Sequence, residues 1–328
     1  MHVADVGTGL GVFVDGPDFA LVYDAGSNDD LATGEANRFL AYLKWAKPLL
    51  KQIDHVVLSH PHRDHVELLA DVITAYDVKN VWDSGAVNSI CGYRRFVQAV
   101  ADESGVAYHT GANDAGVHVV TFEKPECAEK LPVKVKVPHA DGIKEGVLIT
   151  LGQGATMTIL HVDGVAHAGD RFNENSLVTV LDLDGARVLL MGDAEAGKRD
   201  DPKNPPLAKS VERYVLDKYK DKLDADVLVV GHHGSMSSSR KELIDAVSPK
   251  ISVISSGPTK YATVVLPDAV IKKELAAVSQ VFETDRDDSK CATSTKKVGP
   301  TNDGKPGGCD NVQIKIQGGQ VEGAYAGP

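Results

Sequence analysis

The chain has 328 residues, of which 42% are apolar and 25% charged, a balance typical of a globular protein that buries a core. Its formal net charge of −11 argues against unspecific binding along a nucleic-acid backbone, because such binding requires a basic surface. No stretch of about 18 apolar residues is present, so we expect no membrane-spanning helix.

The first third of the chain predicts an antiparallel meander followed by a β-α-β unit, because short alternating apolar runs give way to a helical spacing. In chain order, the predicted elements are strands at 2–6, 11–14 and 19–23, a helix at 35–50, a strand at 53–58, a helix at 66–76 and a strand at 79–82. The loop after the strand at 53–58 lies at the carboxyl end of that strand, where ligand sites of α/β sheets form.

The pattern is weaker between residues 84 and 143 and becomes regular again in the second half. The remaining predicted elements are helices at 93–102, 207–219, 241–247 and 267–277, and strands at 117–122, 133–137, 157–161, 176–181, 187–190, 225–230, 251–255, 281–283 and 312–316. Both halves place strands before helices and no linker divides them. This order predicts a single α/β domain over 1–328, with two stacked sheets and helices outside.

The cysteines bear on the compartment of the protein. They are Cys91, Cys127, Cys291 and Cys309, and none belongs to a C-x-x-C pair. A disulfide that closes the loop at 291–309 and two unpaired thiols are both compatible with the sequence, and the pairing of the other two cysteines is open. The chain shows no signal peptide, although Met1 can replace one at an expression start. We expect an exported protein, periplasmic or secreted.

The most informative segment is S-H-P-H-R-D-H at residues 59–65, directly after an apolar strand. Imidazole and carboxylate are the usual ligands of catalytic zinc and suit manganese in related sites. In an extended loop, His60 and His62 point the same way and can share one metal ion. Asp64 and His65 then lie at the start of the next helix and can face a second ion. A chance surface cluster is the alternative, and the density of ligand types argues against it.

Two further segments carry ligand types at strand ends. Asp193 follows the strand at 187–190 in a Gly-Asp pair, a weak signal alone because a capping aspartate explains it equally well. His232 and His233 lie between glycines after the strand at 225–230, where packed core histidines are not expected. Because all these segments follow buried strands, they can converge at one edge of the fold.

The order H-x-H-x-D-H, G-D and H-H-G-S resembles the metallo-β-lactamase superfamily, and within it most resembles the hydrolase domain of bacterial DNA-uptake competence channel proteins. D-V-G-T-G at 5–9 is similar to the opening D-V-G-Q-G of that group, and N-E-N-S-L-V at 173–178 to its N-D-N-S-L-V. The resemblance covers about residues 2–317. It implies an α/β fold, a four-layer αββα sandwich.

The resemblance also implies a role for each matching residue. His60 and His62 would hold a first metal ion and Asp64 and His65 a second, with Asp193 between the ions and His232 completing the second site. The implied catalytic residues are Asp64, Asp193 and His233. Further residues near ligands or substrate would be Asp24, which orients a ligand histidine, and Asn173, Asn175 and Ser235. The implied cofactor is Zn²⁺, or Mn²⁺ in its place, as one or two ions.

Two departures from the family pattern qualify these expectations. The histidine that most members carry before the middle strand is replaced by Asn173 or Asn175, while His161 and His167 lie nearby in sequence. This predicts that the first metal ion is weakly held or absent. In addition, the segment Y-A-T-V-V at 261–265 lacks the histidine of the group's Y-G-H-P.

The leading hypothesis is a metal-dependent hydrolase, a phosphodiesterase or nuclease that attacks extracellular DNA through a metal-activated water. One alternative is hydrolysis of a small ester, lactone, β-lactam or phosphocholine substrate at the same site. The other is a degenerate binding module without turnover. The expected partner is a small-molecule or nucleic-acid phosphodiester, with no membrane and no protein partner. Candidate phosphate contacts, for which solvated surface charge is the simpler explanation, are Lys44, Lys47, Arg94 and Arg95.

Overall fold

The structure is a computed structural model that describes residues 1–31, 33–112, 116–123, 127, 131–165, 167, 171–286 and 288–327. Its strands are β1 (His2–Val3), β2 (Gly11–Asp15), β3 (Ala20–Ala25), β4 (Gln52–Leu58), β5 (Asp77–Asp83), β6 (Ala107–Thr110), β7 (Gly116–Thr121), β8 (Lys134–Gly142), β9 (Leu148–Gly152), β10 (Ala155–His161), β11 (Val178–Leu183), β12 (Ala186–Leu190), β13 (Val227–Val229), β14 (Ile251–Ile254), β15 (Gln280–Glu283), β16 (Asn311–Gln317) and β17 (Gln320–Ala326).

The helices lie between these strands. Helices α1 to α4 lie between β3 and β6, and α5 to α8 lie after β12. They are α1 (Arg38–Ala46), α2 (Arg63–Val66), α3 (Leu69–Ala75), α4 (Cys91–Asp102), α5 (Val211–Leu223), α6 (Lys241–Val247), α7 (Ala269–Ala276) and α8 (Asp288–Cys291). Asn37 begins α1, since its side-chain oxygen accepts a hydrogen bond from the backbone N–H of Leu40 at 3.0 Å. None of the helices in the described ranges is long and apolar enough to cross a bilayer.

The strands form two sheets that each combine antiparallel and parallel pairing. The first has the order β17-β16-β1-β2-β3-β4-β5-β6-β8-β7, and the second β15-β14-β13-β12-β11-β10-β9. β1 to β3 form the predicted antiparallel meander. The strands from β3 to β6 are parallel, and so are those from β12 to β15. Each sheet therefore has an edge at which the carboxyl-terminal ends of several parallel strands meet.

Apolar side chains fill three interfaces between four layers, which makes the fold the expected αββα sandwich. Helices α1, α3 and α4 cover the outer face of the first sheet, through side chains such as Phe39, Val72 and Phe96. The inner faces of the two sheets pack against each other. Helices α5, α6 and α7 cover the outer face of the second sheet, where Val215 and Ile244 are buried.

The predicted elements are confirmed with small shifts of their ends, and three strands are additional. β6, β9 and β17 were not predicted, because their sequences lack a continuous or cleanly alternating apolar run. β17 alternates between exposed and half-buried positions over residues 320–325, as an edge strand does. The predicted helix at 66–76 is replaced by two: α2 carries the end of the segment 59–65, and α3 begins only at Leu69.

Both cysteine pairs form disulfides, Cys91 with Cys127 and Cys291 with Cys309. The loop at 291–309 is therefore closed, which resolves the alternative that the sequence leaves open. Asp5 ties this loop to the start of the chain, since its carboxylate accepts the backbone N–H of Cys309 at 2.8 Å. Burial raises the pKa of Asp5 to about 6, against the lowering effect of these backbone donors.

Candidate metal centre

The candidate site is formed by loops that follow parallel strands, at the carboxyl edge of both sheets. In the first sheet, Asp24 lies near the end of β3 and the segment 59–65 follows β4. In the second sheet, Asp193 follows β12, while His232 and His233 follow β13. The packing of the two sheets brings these edges together, as the order of the motifs led us to expect.

A close approach between the two sheets requires a glycine before Asp193. Gly192 has φ 53°, and a Cβ atom at this position would lie 2.8 Å from the Cβ of Ser59. Any larger residue would strain the backbone and push the loop after β12 away from the loop after β4. The Gly-Asp pair is thus explained by packing as well as by the carboxylate that follows it.

Asp24 orients His65 toward the centre of the site. Its buried carboxylate accepts a hydrogen bond from His65 Nδ1 at 2.8 Å and from the backbone N–H of Ser59 at 2.7 Å. The other imidazole nitrogen, His65 Nε2, then lies 3.1 Å from Asp193 Oδ1. A carboxylate behind an imidazole is the usual arrangement that fixes the tautomer of a metal-binding histidine.

His233 is oriented in the same way by a backbone carbonyl. Its Nδ1 donates to the carbonyl oxygen of Ser255 at 2.7 Å, so Nε2 is free to face the site. This Nε2 lies 3.5 Å from Asp64 Oδ2 and 3.6 Å from Asp193 Oδ1. His232 and His233 both have left-handed backbone, with φ 48° and 51°, a conformation that costs on the order of 1 kcal/mol or more per residue and clusters at functional sites.

Three buried polar atoms meet here without a well-aligned hydrogen bond to any residue in the described ranges: His65 Nε2, His233 Nε2 and Asp193 Oδ1. Buried polar atoms are almost always hydrogen-bonded, so this convergence calls for a bound group. Ligand atoms of Asp64, His65 and His233 lie within 4.8 Å of one another, and so do those of His60, His65 and Asp193. Imidazole nitrogens and carboxylate oxygens are the donor set of Zn²⁺, and these residues therefore fit a divalent cation.

His60 and His62 lie beside this cluster with a different environment. His60 Nε2 is 2.9 Å from His62 Nδ1 and 3.7 Å from Asp193 Oδ2. His60 Nδ1 contacts the hydroxyl of Ser59 at 3.0 Å, so no carboxylate lies directly behind this ring. The His62 ring packs edge-on against Phe172, at 5.6 Å between centroids. Both histidines thus face the site, and His60 is held by a hydroxyl where His65 is held by a carboxylate.

The contacts of His232 and His233 bear on the roles implied by the resemblance. His232 lies farther from the cluster, with Nε2 3.9 Å from Asp193 Oδ2. Its Nδ1 faces Glu195 at 3.1 Å and Ser237 at 2.8 Å. His233, which the resemblance assigns to the substrate, instead contacts Asp64 and Asp193. The assignment of His232 as a metal ligand stays a prediction.

The remaining expected residues lie around the cluster. The Asn173 amide nitrogen is 3.4 Å from His232 Nε2, while its buried oxygen has no hydrogen-bond partner. Asn175 donates to the carbonyl oxygens of residues 163 and 165 and so holds its own loop. His161 donates to the Ser176 carbonyl at 2.8 Å and His167 faces Asp163. Neither of these histidines therefore replaces the absent third histidine.

Tyr261 and Asn28 are site residues that the sequence did not indicate. The Tyr261 hydroxyl donates a short hydrogen bond to Asp64, and its ring stacks on His233 at 5.9 Å between centroids. Asn28 donates to the same carboxylate oxygen of Asp64 at 3.2 Å. Tyr261 is the tyrosine of the Y-A-T-V-V segment, which matches the tyrosine of the family pattern, and this match could have identified it as a site residue. Asn28 lies in a polar loop without a distinguishing pattern.

Several ionisable side chains meet in this pocket, and burial disfavours the charged form of each. Burial by itself would raise the pKa of Asp193, but His65 and His233 hold it well below the usual carboxyl range. Burial would lower the pKa of His65, but Asp193 and Asp24 raise it well above the usual value. Burial also raises the pKa of Tyr261, which stays protonated as a donor. Buried carboxylates require positive charge beside them, from protons or from a cation.

Two cavities meet at the site. The metal pocket has a volume of about 300 Å³ and is lined by Asp64, Asp193, Asn28 and Asn173, among others. A larger groove of about 720 Å³ adjoins it and is lined by the loops after β12 and after β14. His232 and Tyr261 belong to both walls. Ser235 lies beneath the larger groove rather than in the metal pocket.

Comparison with known proteins agrees with this geometry. Residues 4–257 match the profile described as the metallo-beta-lactamase superfamily. ComE operon protein 3 of Bacillus subtilis is 25% identical over 215 residues, 63% of this chain and 20% of that protein. Recombination protein 2 of Haemophilus influenzae is 26% identical over 254 residues, 77% of this chain and 24% of that protein. The chain thus spans about a fifth to a quarter of the length of these relatives.

A solved structure is similar to this chain at low sequence identity. The metallo-beta-lactamase fold protein YhfI from Bacillus subtilis aligns with a TM-score of 0.41 and 14% identity. The alignment covers 86% of this chain and 95% of that chain.

Proposed function

Because the chain belongs to the metallo-β-lactamase superfamily, whose members are generally metal-dependent hydrolases, we propose that it is a metal-dependent phosphodiesterase that cleaves nucleic acid. The observation that carries the proposal is the convergence of His65, His233 and Asp193 through buried atoms without hydrogen-bond partners. A site built only for stability would join these atoms in well-aligned hydrogen bonds, with one another or with the backbone. The proposed cation is Zn²⁺ or Mn²⁺.

The ligands that we assign to the firmly held ion are Asp64, His65, His233 and Asp193. A divalent cation bound there would lower the pKa of a water molecule and polarise a phosphoryl oxygen. His60 and His62 would hold a second ion, which we expect to bind more weakly. Asp193 lies between the two groups, since one of its oxygens faces His65 and the other faces His60.

The surrounding side chains orient the ligands and exclude water. Asp24 and the Ser255 carbonyl each hold one imidazole nitrogen of a ligand, so the opposite nitrogen faces the pocket. Tyr261 and Asn28 donate to Asp64 and fix its rotamer. Such positioning removes the reorganisation that would otherwise accompany the reaction. His232 lies where the pocket opens into the larger groove, and we place it beside the leaving group.

A phosphodiester is favoured over a small ester or β-lactam for two reasons. The motifs at 5–9 and 173–178 resemble the hydrolase domain of DNA-uptake competence channel proteins, in addition to the general superfamily motifs. The groove beside the metal pocket also extends the site beyond the size of a single small ester. The fold by itself does not select the substrate.

The disulfides support a location outside the cytoplasm. Cys91–Cys127 and Cys291–Cys309 account for the four cysteines of the chain. Disulfides persist in oxidising compartments and are rare in the reducing cytosol. We therefore propose that the protein acts in the periplasm or after secretion, where DNA from outside the cell is accessible.

The proposal is tested by activity on three substrates after loading with zinc or manganese. We expect hydrolysis of bis-p-nitrophenyl phosphate and of linear DNA, and its loss in Asp64→Ala. Asp221→Ala, which removes an exposed carboxylate from α5, is the matched control and should behave as the original chain. Turnover of a chromogenic cephalosporin without diester cleavage would replace the proposal with hydrolysis of a small substrate. Turnover of none of the three would favour a binding module.

A further inference from the structure

The groove beside the metal pocket has a chemistry of its own. Its volume of about 720 Å³ lies within the range of ligand sites, and it shares His232 and Tyr261 with the metal pocket. We propose that this groove binds the nucleoside and the next phosphate of a single-stranded nucleic acid whose scissile phosphate occupies the metal pocket. The inference rests on the proposed function and extends it to a substrate subsite.

Two cationic side chains line the groove on one short loop, Lys198 and Arg199. The Lys198 side chain is exposed, and its ammonium group makes no hydrogen bond or ion pair with any residue in the described ranges. Arg199 donates to Asp268 at 2.6 Å and to the Ser235 hydroxyl at 3.1 Å, which fixes its guanidinium at the groove wall. A guanidinium has five N–H donors, so this residue can also contact a phosphate. Positive charge is thus local on a chain of net charge −11.

The loop that carries these cations is held in place from below. The buried guanidinium of Arg240 donates to the carbonyl oxygens of Lys198 at 2.7 Å and Asp200 at 2.6 Å. The backbone N–H of Arg240 in turn donates to Glu212 at 3.1 Å. A loop fixed in this way presents its side chains without a large ordering cost on binding, as expected of a preformed site.

Apolar side chains also line the groove. They are Leu207, Ala262, Val264 and Leu266. Leu207 is 52% exposed, although it is a large apolar side chain, and it lies beside the loop that carries the cations, since its backbone N–H donates to the Ala196 carbonyl at 2.8 Å. An apolar surface beside a cation suits a nucleobase with its phosphate, because single-strand sites combine a surface for bases with a cationic track for the backbone. The Tyr261 ring continues this surface to the metal pocket.

The acidic residues of the groove are occupied by partners within it. Glu174 pairs with Arg171 at 3.1 Å. Glu195 accepts hydrogen bonds from Ser237 at 3.0 Å and from the Asn173 amide at 3.2 Å, and also faces His232. Glu174 is thus paired with a cation and Glu195 faces His232, while Arg199 is itself paired with Asp268. Among the groove residues in the described ranges, the unpaired charge at the rim is therefore that of the Lys198 ammonium.

The basic residues suggested by the sequence lie elsewhere. Arg94 is buried and donates to the carbonyl oxygens of residues 131 and 132, so it is structural rather than a solvated surface charge. Lys44, Lys47 and Arg95 form ion pairs with carboxylates. None of the four lines the groove as the structure describes it.

The test measures binding of fluorescein-labelled octathymidylate by fluorescence anisotropy, in the full chain carrying Asp193→Asn to prevent cleavage. We expect Lys198→Ala to raise the Kd about 3- to 10-fold at low salt. The slope of log Kd against log salt should fall by about 0.7, the value for one phosphate contact on a single strand. Leu207→Ser should raise the Kd with little change in that slope, because it removes apolar contact but no charge.

Lys51→Ala is the matched control, since Lys51 is an exposed lysine at the start of β4, at the far end of the strand from the site. Its Kd and salt slope should equal those of the parent. Equal Kd values for Lys198→Ala, Leu207→Ser and Lys51→Ala would overturn the groove assignment, and so would a preference for anionic phospholipid vesicles over octathymidylate. Groove binding as expected, with no hydrolysis of bis-p-nitrophenyl phosphate by the unsubstituted chain, would instead contradict the proposed function alone.

Discussion

The two halves of the metal pocket differ in how their ligands are held. In the His65 half (Asp64, His65 and His233), each ligand has a partner behind it: Tyr261 for the carboxylate, Asp24 and the Ser255 carbonyl for the imidazoles. In the His60 half (His60 and His62), the two imidazoles contact each other at 2.9 Å. Asp193 lies between the halves.

This difference shows that a ligand-rich motif does not by itself make a strong site. The segment 59–65 supplies histidines to both halves, and in the His65 half a carboxylate and a backbone carbonyl from other loops orient the two imidazoles. Orientation by hydrogen-bonded partners typically changes metal affinity 10- to 100-fold. We therefore expect the His65 half to bind the first metal ion, and the following predictions test that ranking.

The largest effect is expected from Asp193→Asn, because this carboxylate contacts both halves. The substitution preserves size but removes the negative charge that a cation requires. We expect kcat for bis-p-nitrophenyl phosphate to fall by about 1000-fold or more. Steady-state kinetics at saturating zinc would measure it. A loss below about tenfold would show that the two halves do not share this residue.

A smaller effect is expected from Asp24→Asn, which leaves every ligand in place. His65 would lose its carboxylate partner, and the affinity for the first zinc ion should fall about 10- to 100-fold. Competition with a fluorescent chelator would measure the affinity. Asp83→Asn removes another buried carboxylate, one that accepts hydrogen bonds from Tyr93 and Tyr108 away from the pocket, and should leave zinc affinity unchanged.

The loop after His233 should make stability depend on pH. Glu212 accepts the backbone N–H groups of Ser239 and Arg240, and burial raises its pKa to about 8. In the unfolded chain a glutamate ionises near pH 4.3. Between these values the folded chain binds the extra proton, so the free energy of unfolding falls as pH rises.

Between pH 5 and pH 8, the free energy of unfolding should fall by about 1–2 kcal/mol less in Glu212→Gln than in the original chain, since glutamine does not titrate. Urea unfolding at the two pH values measures the change. An identical pH dependence in the variant and the original chain would contradict this prediction. It would show that Glu212 is ionised in the folded chain and accepts the two backbone N–H groups as a carboxylate.

The smallest effect is expected from His62→Gln. If the His60 half is secondary, the affinity for the first zinc ion should change by less than about threefold, whereas uptake of a second ion should be lost. Mass spectrometry under native conditions would count the ions. Loss of the first ion in His62→Gln would reverse the ranking of the two halves.

Much of this arrangement could be predicted from the sequence. The strands before residues 59, 193 and 232 are short, apolar and followed by ligand types, so their convergence follows from the geometry of parallel strands. The contact of His233 with Asp64 could not be predicted, because it depends on left-handed backbone at two adjacent residues. The single-domain assignment over 1–328 stays a prediction.

No sequence pattern indicates the groove beside the metal pocket. Lys198, Arg199 and Leu207 form no motif, and the groove that they line is completed only where the loop after β12 meets the loop after β14. Likewise, the sequence predicts a surface position for Arg240 before α6, yet this residue is 2% exposed and supports the loop after β12. Such long-range contacts are set by tertiary packing rather than by local periodicity.

The central claim is that the His65 half is a metal centre, and zinc stoichiometry tests it most directly. The chain would be treated with a chelator, dialysed, titrated with zinc and assayed for bound metal by atomic emission. We predict one tightly bound equivalent in the original chain and in His62→Gln, and none in His65→Gln. Absence of tightly bound zinc in the original chain, or its retention in His65→Gln, would contradict the account.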